Sequence, residues 1–452
     1  MTPTRKTLSI GDTVLLIVGI VIGAGIFKTP SLVAAQVGRE WIFLLVWGLG
    51  GLISFAGSLC YAELGSTYPH AGGDYHYLAR AYGRGPAFLF AWARMSVIQT
   101  GSIAMLAFLI GDYASEVVRL GEYSASWYAA AVIVVLTFVN VAGIRQGKRL
   151  QNLLMAANFV GLALLIGAGF ALSPPPQAAV AQAILPSGSS IGGAMIFVLL
   201  TYGGWNEAAF LSAEIQDPHR NMARALIYSI ALITVAYLLI NTAFLRGLGF
   251  QGVSSSEAVA ADLMRRFAGE SGARFISVLI VLAVFSTING IIVTGARTSY
   301  ALGLDFSPFR FLGRWREHTG TPANALVVQG AIAILLVFLG TGTRSGFVTM
   351  VDYTAPVFWL FFLLSGVSIP VLRRKEPKAL RPFPVPLYPF TPILFCAVCV
   401  YMLYSSLVYT GKGSLLGVGV LLSGLFVFLF GLSKYRVGWA AIETKGSPER
   451  RE

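Results

Sequence analysis

An all-α membrane protein is the fold class this sequence predicts: 12 transmembrane helices, arranged as a 5+5 inverted repeat with discontinuous helices 1 and 6, plus two C-terminal helices. Three observations carry that expectation. Of 452 residues, 56% are hydrophobic and only 12% charged, about half the charge of a soluble domain. Apolar stretches of about 20 residues, enough to cross a bilayer, recur along the whole chain. Two of them are interrupted by glycine clusters at matching places. Ser9-Ile10-Gly11 leads to Gly23-Ala24-Gly25, and Ser190-Ile191-Gly192 leads to Gly203-Gly204. In both, a glycine falls 12 residues after the glycine of the Ser-Ile-Gly triplet.

In chain order, spans are expected near 10–36, 41–67, 87–117, 125–143 and 150–172, then 190–215, 223–246, 272–303, 323–340 and 346–371, and finally 387–410 and 413–432. Several exceed the minimum length, which implies tilt. The segment 71–83 carries Tyr75, Tyr77, Leu78 and Tyr82 and reads as a short interfacial helix. Ser254-Ser255-Ser256-Glu257 before an apolar run reads as a capped helix start in an outer loop. Five spans separate the two glycine breaks, so the second copy enters the membrane from the opposite side. The expected divisions are a 1–9 leader, repeats at 10–172 and 190–371, two helices at 387–432 and a charged tail at 433–452.

Charge sets the orientation. The net charge is +13, but it is concentrated in alternate loops, at Arg5-Lys6, Arg80–Arg84, Arg145–Arg149, Arg310–Arg316, Arg373–Arg381 and the C-terminal tail. Opposite loops hold isolated cations such as Arg39, Arg119 and Lys412. That asymmetry is an orientation signal, not a nucleic-acid footprint, and it places both termini in the cytoplasm. The first apolar stretch has no cleavage pattern and is expected to be retained. Cys60, Cys396 and Cys399 lie in apolar runs without His or acidic neighbours and read as packing residues. No metal spacing, nucleophile–base set or phosphate loop is present, so no enzyme, metal or cofactor is expected.

Glycine costs a helix interior about 0.5–1 kcal/mol per residue. A broken helix in lipid is tolerated only where the freed backbone lines a protein cavity. Paired breaks in corresponding spans therefore point to the binding site of a secondary carrier; the alternative for either cluster alone is close helix packing through small residues. Each break offers N–H groups on one half-helix end and carbonyls on the other. An amino acid has the complementary pair, a carboxylate and an ammonium. Charge-assisted hydrogen bonds contribute about 1.5–3 kcal/mol each, so several are needed to offset dehydration.

These residues resemble a known family. Gly23-Ala24-Gly25-Ile26-Phe27 is similar to the G-S-G-I-F signature in helix 1 of the amino acid–polyamine–organocation (APC) superfamily. Tyr202-Gly203-Gly204-Trp205-Asn206, followed by Glu214-Ile215-Gln216-Asp217-Pro218, resembles helix 6 of its L-type amino acid transporter branch. Tyr61-Ala62-Glu63-Leu64-Gly65, Gly72-Gly73-Asp74-Tyr75, Asn289-Gly290 with Arg297, and Arg381-Pro382-Phe383 match as well, so the resemblance covers 8–432. It implies a substrate carboxylate on the N–H groups of Ala24 and Gly25, beside Gly23 and Ile26. It implies an ammonium on the carbonyls of Val21, Leu200 and Gly203. The substrate side chain would point toward Gln99, past Trp205 and Asn206. Three departures stand out: Ala24 replaces a serine, Leu200 replaces an aromatic gate, and Asn158 stands where relatives carry a lysine in place of a sodium ion. Asn158, with Ser286 and Thr287, is thus a candidate cation site or a neutral substitute for one.

Remaining polar residues have bland and functional readings. Glu207 follows the second break and is a candidate proton carrier or a vestibule residue. Lys28 snorkels outward or meets substrate, Arg94 is paired or faces a cavity, and Glu63 is structural. The expected activity is secondary active transport of neutral L-amino acids across a plasma or bacterial inner membrane, by exchange or with a sodium ion or proton. Alternatives are another zwitterion or amine, or an amino-acid sensor that moves nothing. Relatives join a heavy subunit through a cysteine between spans 3 and 4; Arg119–Ser124 has none, so no disulfide-linked heavy subunit is expected.

Overall fold

The structure is a computed structural model that describes residues 8–23, 25–70, 72–143, 148–175, 190–212, 215–343, 345–409 and 412–431. These are almost entirely helical; besides helices they hold two isolated β-bridges, Leu8 with Ile215 and Arg316 with Thr321. Among the described residues, eight helices are long and apolar enough to cross a membrane, and three shorter helices are apolar too. The 1–9 leader beyond Leu8 and Ser9, and the 433–452 tail, fall outside the described residues.

Helix α1 (Ile10–Val21) opens on a capping box, with Ser9 Oγ accepting from the Asp12 N–H and the Asp12 carboxylate accepting from the Ser9 N–H. Reciprocal bonding of this kind fixes where a helix begins. After a break, α2 (Thr29–Val37) continues the same path and stops at Gly38, whose φ is 66°. Helix α3 (Glu40–Thr67) is followed by the nine-residue α4 (Asp74–Tyr82), the short helix expected at 71–83. Gly73 and Gly83 bound it with φ of 47° and 88°. Helix α5 (Arg84–Ala93) runs through a single π-helical turn, Arg94–Ile98, into α6 (Gln99–Val117). Helices α7 (Ser124–Val141) and α8 (Lys148–Ala171) follow.

The second half opens like the first. Helix α9 (Ile191–Tyr202) is capped by Ser190, whose Oγ accepts from the Gly193 N–H at 2.9 Å. It breaks and resumes as α10 (Ala208–Leu211). Helix α11 (Pro218–Ser255) bends at Gly249 (φ 71°), and α12 (Val259–Asp305) bends at Ala268-Gly269. Each therefore joins a long helix to a short one; sequence reading assigns the short piece after Gly249 to a loop and expects a helix start before the one that ends at Gly269. The helix start expected at Ser254–Glu257 lies instead at Val259, with Ala258 in the cap position and no side-chain cap. Helices α13 (Ala323–Thr341), α14 (Gly346–Lys375), α15 (Phe390–Val408) and α16 (Lys412–Phe426) complete the chain.

The surface is that of a protein solvated by lipid. Phe138, Leu52, Phe390 and Leu415 are all about 70% exposed or close to it, and apolar patches on this scale do not face water in monomers. Small residues let helices approach inside. A Cβ on Gly51 of α3 would lie 2.6 Å from the Thr234 side chain of α11, the close contact that membrane helices use in place of a hydrophobic drive. Trp47, Tyr202 and Tyr237 form a buried aromatic knot behind the breaks, with Tyr202 and Tyr237 rings 5.0 Å apart.

Candidate functional site

Both glycine clusters break their helices. Along α1, the Ile22 N–H still reaches Val18, the Gly23 N–H turns back to Val21 O at 2.7 Å, and Gly25–Phe27 forms a 3₁₀ turn before α2. Along α9, the Gly203 N–H bonds Leu200 O at 3.0 Å, Gly204 takes φ 104°, and Trp205–Glu207 forms a 3₁₀ turn before α10. A φ of that sign is strained for any residue with a Cβ. Ala24 lies outside the described residues.

The two breaks face each other. A Cβ on Gly25 would lie 3.1–3.2 Å from Thr201 Cγ2, Cα and Oγ1, and one on Gly204 would lie 3.1 Å from Ile20 Cγ2 and 3.5 Å from Val21 Cγ2. The hydroxyls of Thr29 and Thr201 meet at 2.7 Å across the crossing. Ile26 and Phe27 are buried beneath it, and the Tyr113 hydroxyl donates to Phe27 O at 2.7 Å.

Ownership of the freed carbonyls refines the sequence-derived site. The Tyr237 hydroxyl sits between Val21 O at 2.7 Å and Thr201 O at 2.9 Å, and its single hydrogen serves the ends of both half-helices. Val21 O therefore takes Gly23 N–H and Tyr237 together, which fills its two lone pairs. Leu200 O holds one bond, from the Gly203 N–H, and keeps a second lone pair. Ile22 O takes the Asn158 carboxamide N–H. Tyr237 was not among the residues singled out from sequence, although a tyrosine inside an apolar run must find a partner for its hydroxyl.

Asn158, 6% exposed, is bound to the first break, and its Oδ1 is buried without a hydrogen-bond partner. Thr287 Oγ1, bonded to Ala283 O at 3.2 Å, is 3.7 Å from where a Gly23 Cβ would be. Ser286 is half-buried beside it on α12. The structure thus brings Asn158 and Thr287 to one side of the α1 break with oxygen donors only. Among the described residues, no cluster of His, Cys, Asp or Glu could hold a metal ion.

The residues placed near the substrate side chain separate into two groups. Trp205 is 3% exposed and packs edge-on against Tyr61 at 5.1 Å and tilted against Phe362 at 5.5 Å. Asn206, buried, and Glu207, half-buried, follow it. Both Glu207 oxygens accept from Arg94 Nη2, at 2.9 and 3.1 Å. Gln99, its amide oxygen turned to the same guanidinium, accepts from Nε at 3.2 Å and Nη2 at 2.6 Å. The Arg94 guanidinium also lies 4.3 Å over the Phe210 ring. A π-helical turn often marks a functional position; here it precedes Gln99 and carries Arg94 into the cluster.

Lys28 points outward to Asp112 at 2.8 Å and to Glu257 O at 2.8 Å, tying the post-break segment to α6 and the loop before α12. It makes no use of the break. Glu63 binds Arg373 at 2.6 and 2.8 Å and accepts from the Val385 N–H at 2.7 Å, the structural role expected of it.

An amino acid permease family model matches residues 8–430. The b(0,+)-type amino acid transporter 1 of Mus musculus is 30% identical over 451 residues, which is 97% of this chain and 90% of the relative. The Asc-type amino acid transporter 1 of Mus musculus is 28% identical over 440 residues (95% and 81%). The large neutral amino acids transporter small subunit 2 of Homo sapiens is 29% identical over 443 residues (95% and 81%). With the broken, crossing helices already in view, these matches establish that the chain belongs to the amino acid permease family and is a multi-pass membrane transport protein, not an enzyme.

Proposed function

We propose that this protein moves neutral L-amino acids across the cell membrane by alternating access, as an exchanger or a cation-coupled symporter. One observation carries the reading. Two helices break at corresponding positions and cross at their breaks, Gly25 on Thr201 and Gly204 on Ile20 and Val21. Such a crossing sets N–H groups and carbonyls from both halves around one point in the membrane. The substrate carboxylate is assigned to the Ala24 and Gly25 N–H groups. The ammonium is assigned to Leu200 O and Gly203 O, with Val21 O joining when the Tyr237 hydroxyl gives it up. The relatives named for amino acid transport support this class of substrate.

The same reading takes the helices as 12 crossings, with 10–172 and 190–371 as inverted repeats and 387–432 appended. The matched caps at Ser9 and Ser190 support it. The loop charges support cytoplasmic termini. A large neutral relative is named a small subunit; we assign no disulfide-linked partner here, because Arg119–Ser124 lacks cysteine. The unpaired Asn158 Oδ1 beside the first break supports a sodium ion as coupling partner. Purified protein in liposomes, given a panel of labelled amino acids with sodium and pH gradients varied separately, tests the proposal. Accumulation or counterflow of neutral amino acids is expected. Binding without movement, or ohmic current without substrate, would overturn it.

A further inference from the structure

A buried carboxyl with no part in the substrate site stands next to the second break. Asp74 opens α4 and is 2% exposed. Its carboxylate takes one close hydrogen bond, from Ser365 Oγ of α14 at 3.0 Å. The Tyr61 hydroxyl of α3 faces it, buried, without closing a well-formed bond. Gly73, the residue before it, is packed on the Phe210 ring, where an added Cβ would lie 2.9 Å away. The Arg94 guanidinium lies over the same ring, 4.3 Å from its centre. Asp74, Glu207 and Arg94 thus form one electrostatic group spanning α4, the π-helical turn and the segment after the second break, with Tyr61 and Ser365 completing the surroundings of Asp74.

The charges do not balance. Glu207 occupies Arg94 with both oxygens, so the trio carries one negative charge in excess when Asp74 is ionised. Buried charge without a partner is costly, and a carboxyl so placed takes up a proton instead. Burial raises Asp74 to about 6, while the facing Tyr61 hydroxyl, the hydrogen bond from Ser365 and the charge of Arg94 pull it down and Glu207 pushes it up. One proton from solution forms an O–H bond on the carboxyl and makes the trio neutral. The new O–H can then donate to the Tyr61 oxygen.

We propose that Asp74 is a proton-binding site of this transporter, coupled through Arg94, Glu207 and Phe210 to the half-helix that follows the second break. The proposal rests on the transport reading for its consequence, but the site itself is testable without transport. Protonation releases the excess charge that draws Arg94 toward Asp74 and leaves Arg94 wholly to Glu207. The hold between α4 and the post-break segment therefore differs between the two states.

Two measurements decide it. Infrared difference spectra of the purified protein, titrated from about pH 8 to about pH 5, should show the carbonyl stretch of a protonated buried carboxyl growing in with a midpoint near 6. Asp74→Asn should lack that band. Ser365→Ala removes a bond that favours the ionised form, so its midpoint should move up; this arm decides the matter if Asp74→Asn does not fold. In liposomes, the pH profile of amino acid uptake, scaled to each variant's own maximum, should follow the same midpoint and flatten in Asp74→Asn. A band that persists in Asp74→Asn, or an unmoved midpoint in Ser365→Ala, overturns the site. A titrating band with a pH-indifferent uptake profile overturns the coupling. Absence of any amino acid movement, with the band intact, counts against the transport reading instead.

Discussion

Tyr237 is the residue on which the two breaks depend together. Its hydroxyl serves Val21 O and Thr201 O at once, while its ring is held by Trp47 at 5.7 Å and Tyr202 at 5.0 Å. Tyr237→Phe keeps the ring and removes the hydrogen. Leaving a buried acceptor unsatisfied costs about 1–3 kcal/mol, roughly a 5- to 150-fold change in an equilibrium. Because ring packing is retained, the expected result is a folded protein with strongly reduced substrate affinity or turnover, read by uptake kinetics beside a thermal unfolding curve. Unchanged kinetics would remove Tyr237 from the site. The glycines of both breaks were legible in the sequence because they interrupt long apolar runs in register. Tyr237 was not, because it lies in an unbroken apolar helix and nothing in its neighbours says which carbonyls it meets. Trp205's place beside Gly204 is plain in the sequence, whereas the packing of its ring against Tyr61 and Phe362 is set by distant helices and is not.

Elements follow from local chemistry more faithfully than contacts do. The short α4 and the paired breaks have local signatures, and they lie where the sequence places them; the caps at Ser9 and Ser190 emerge from the structure. The bends at Gly249 and Gly269, with φ near 70°, join short helices onto α11 and α12 that hydropathy alone reads as loop. The Arg94–Glu207 pair had no signature, since 113 residues separate its members. The crossing of the broken elements makes Gly25 the position least tolerant of bulk. Gly25→Val would press against Thr201 Cα at 3.2 Å, which is backbone and cannot step aside. Loss of labelled amino acid binding with normal yield of folded protein is expected; wild-type affinity would remove the first break from the site. The ion pair invites a different comparison. Arg94 is almost fully buried, and breaking a buried pair by removing one partner costs about 3–5 kcal/mol, whereas replacing both is often close to neutral. Arg94→Met should therefore lower the unfolding temperature more than Arg94→Met combined with Glu207→Gln. A double loss equal to the sum of the two single losses would show that the pair contributes nothing beyond its separate side chains.

At the scale of the whole molecule, transport requires that both halves respond to what occupies the crossing, and the side of the α1 break nearest α8 and α12 is where a cation would report. Asn158 of α8 holds Ile22 O through its N–H and leaves Oδ1 unpaired, and Thr287 Oγ1 of α12 lies 3.7 Å from where a Gly23 Cβ would be. A sodium ion there would be bound by amide, hydroxyl and carbonyl oxygens and would draw α1, α8 and α12 together. A lysine at the same place would supply a tethered ammonium without the entropy cost of capturing an ion from solution. If the site binds sodium, uptake by the wild-type protein should rise with sodium concentration. Thr287→Ala should weaken that activation by removing one coordinating hydroxyl. Asn158→Lys should abolish the sodium dependence while exchange of internal for external amino acid continues, because the ammonium holds the three helices permanently. The order of effects matters more than their size: a weaker response in Thr287→Ala with none in Asn158→Lys assigns the ion to this side of the break. Wild-type uptake indifferent to sodium would leave Asn158 as a neutral tie between α8 and α1. Coupling would then fall to the proton on Asp74 or to plain exchange, and the pH profile of uptake would separate those two.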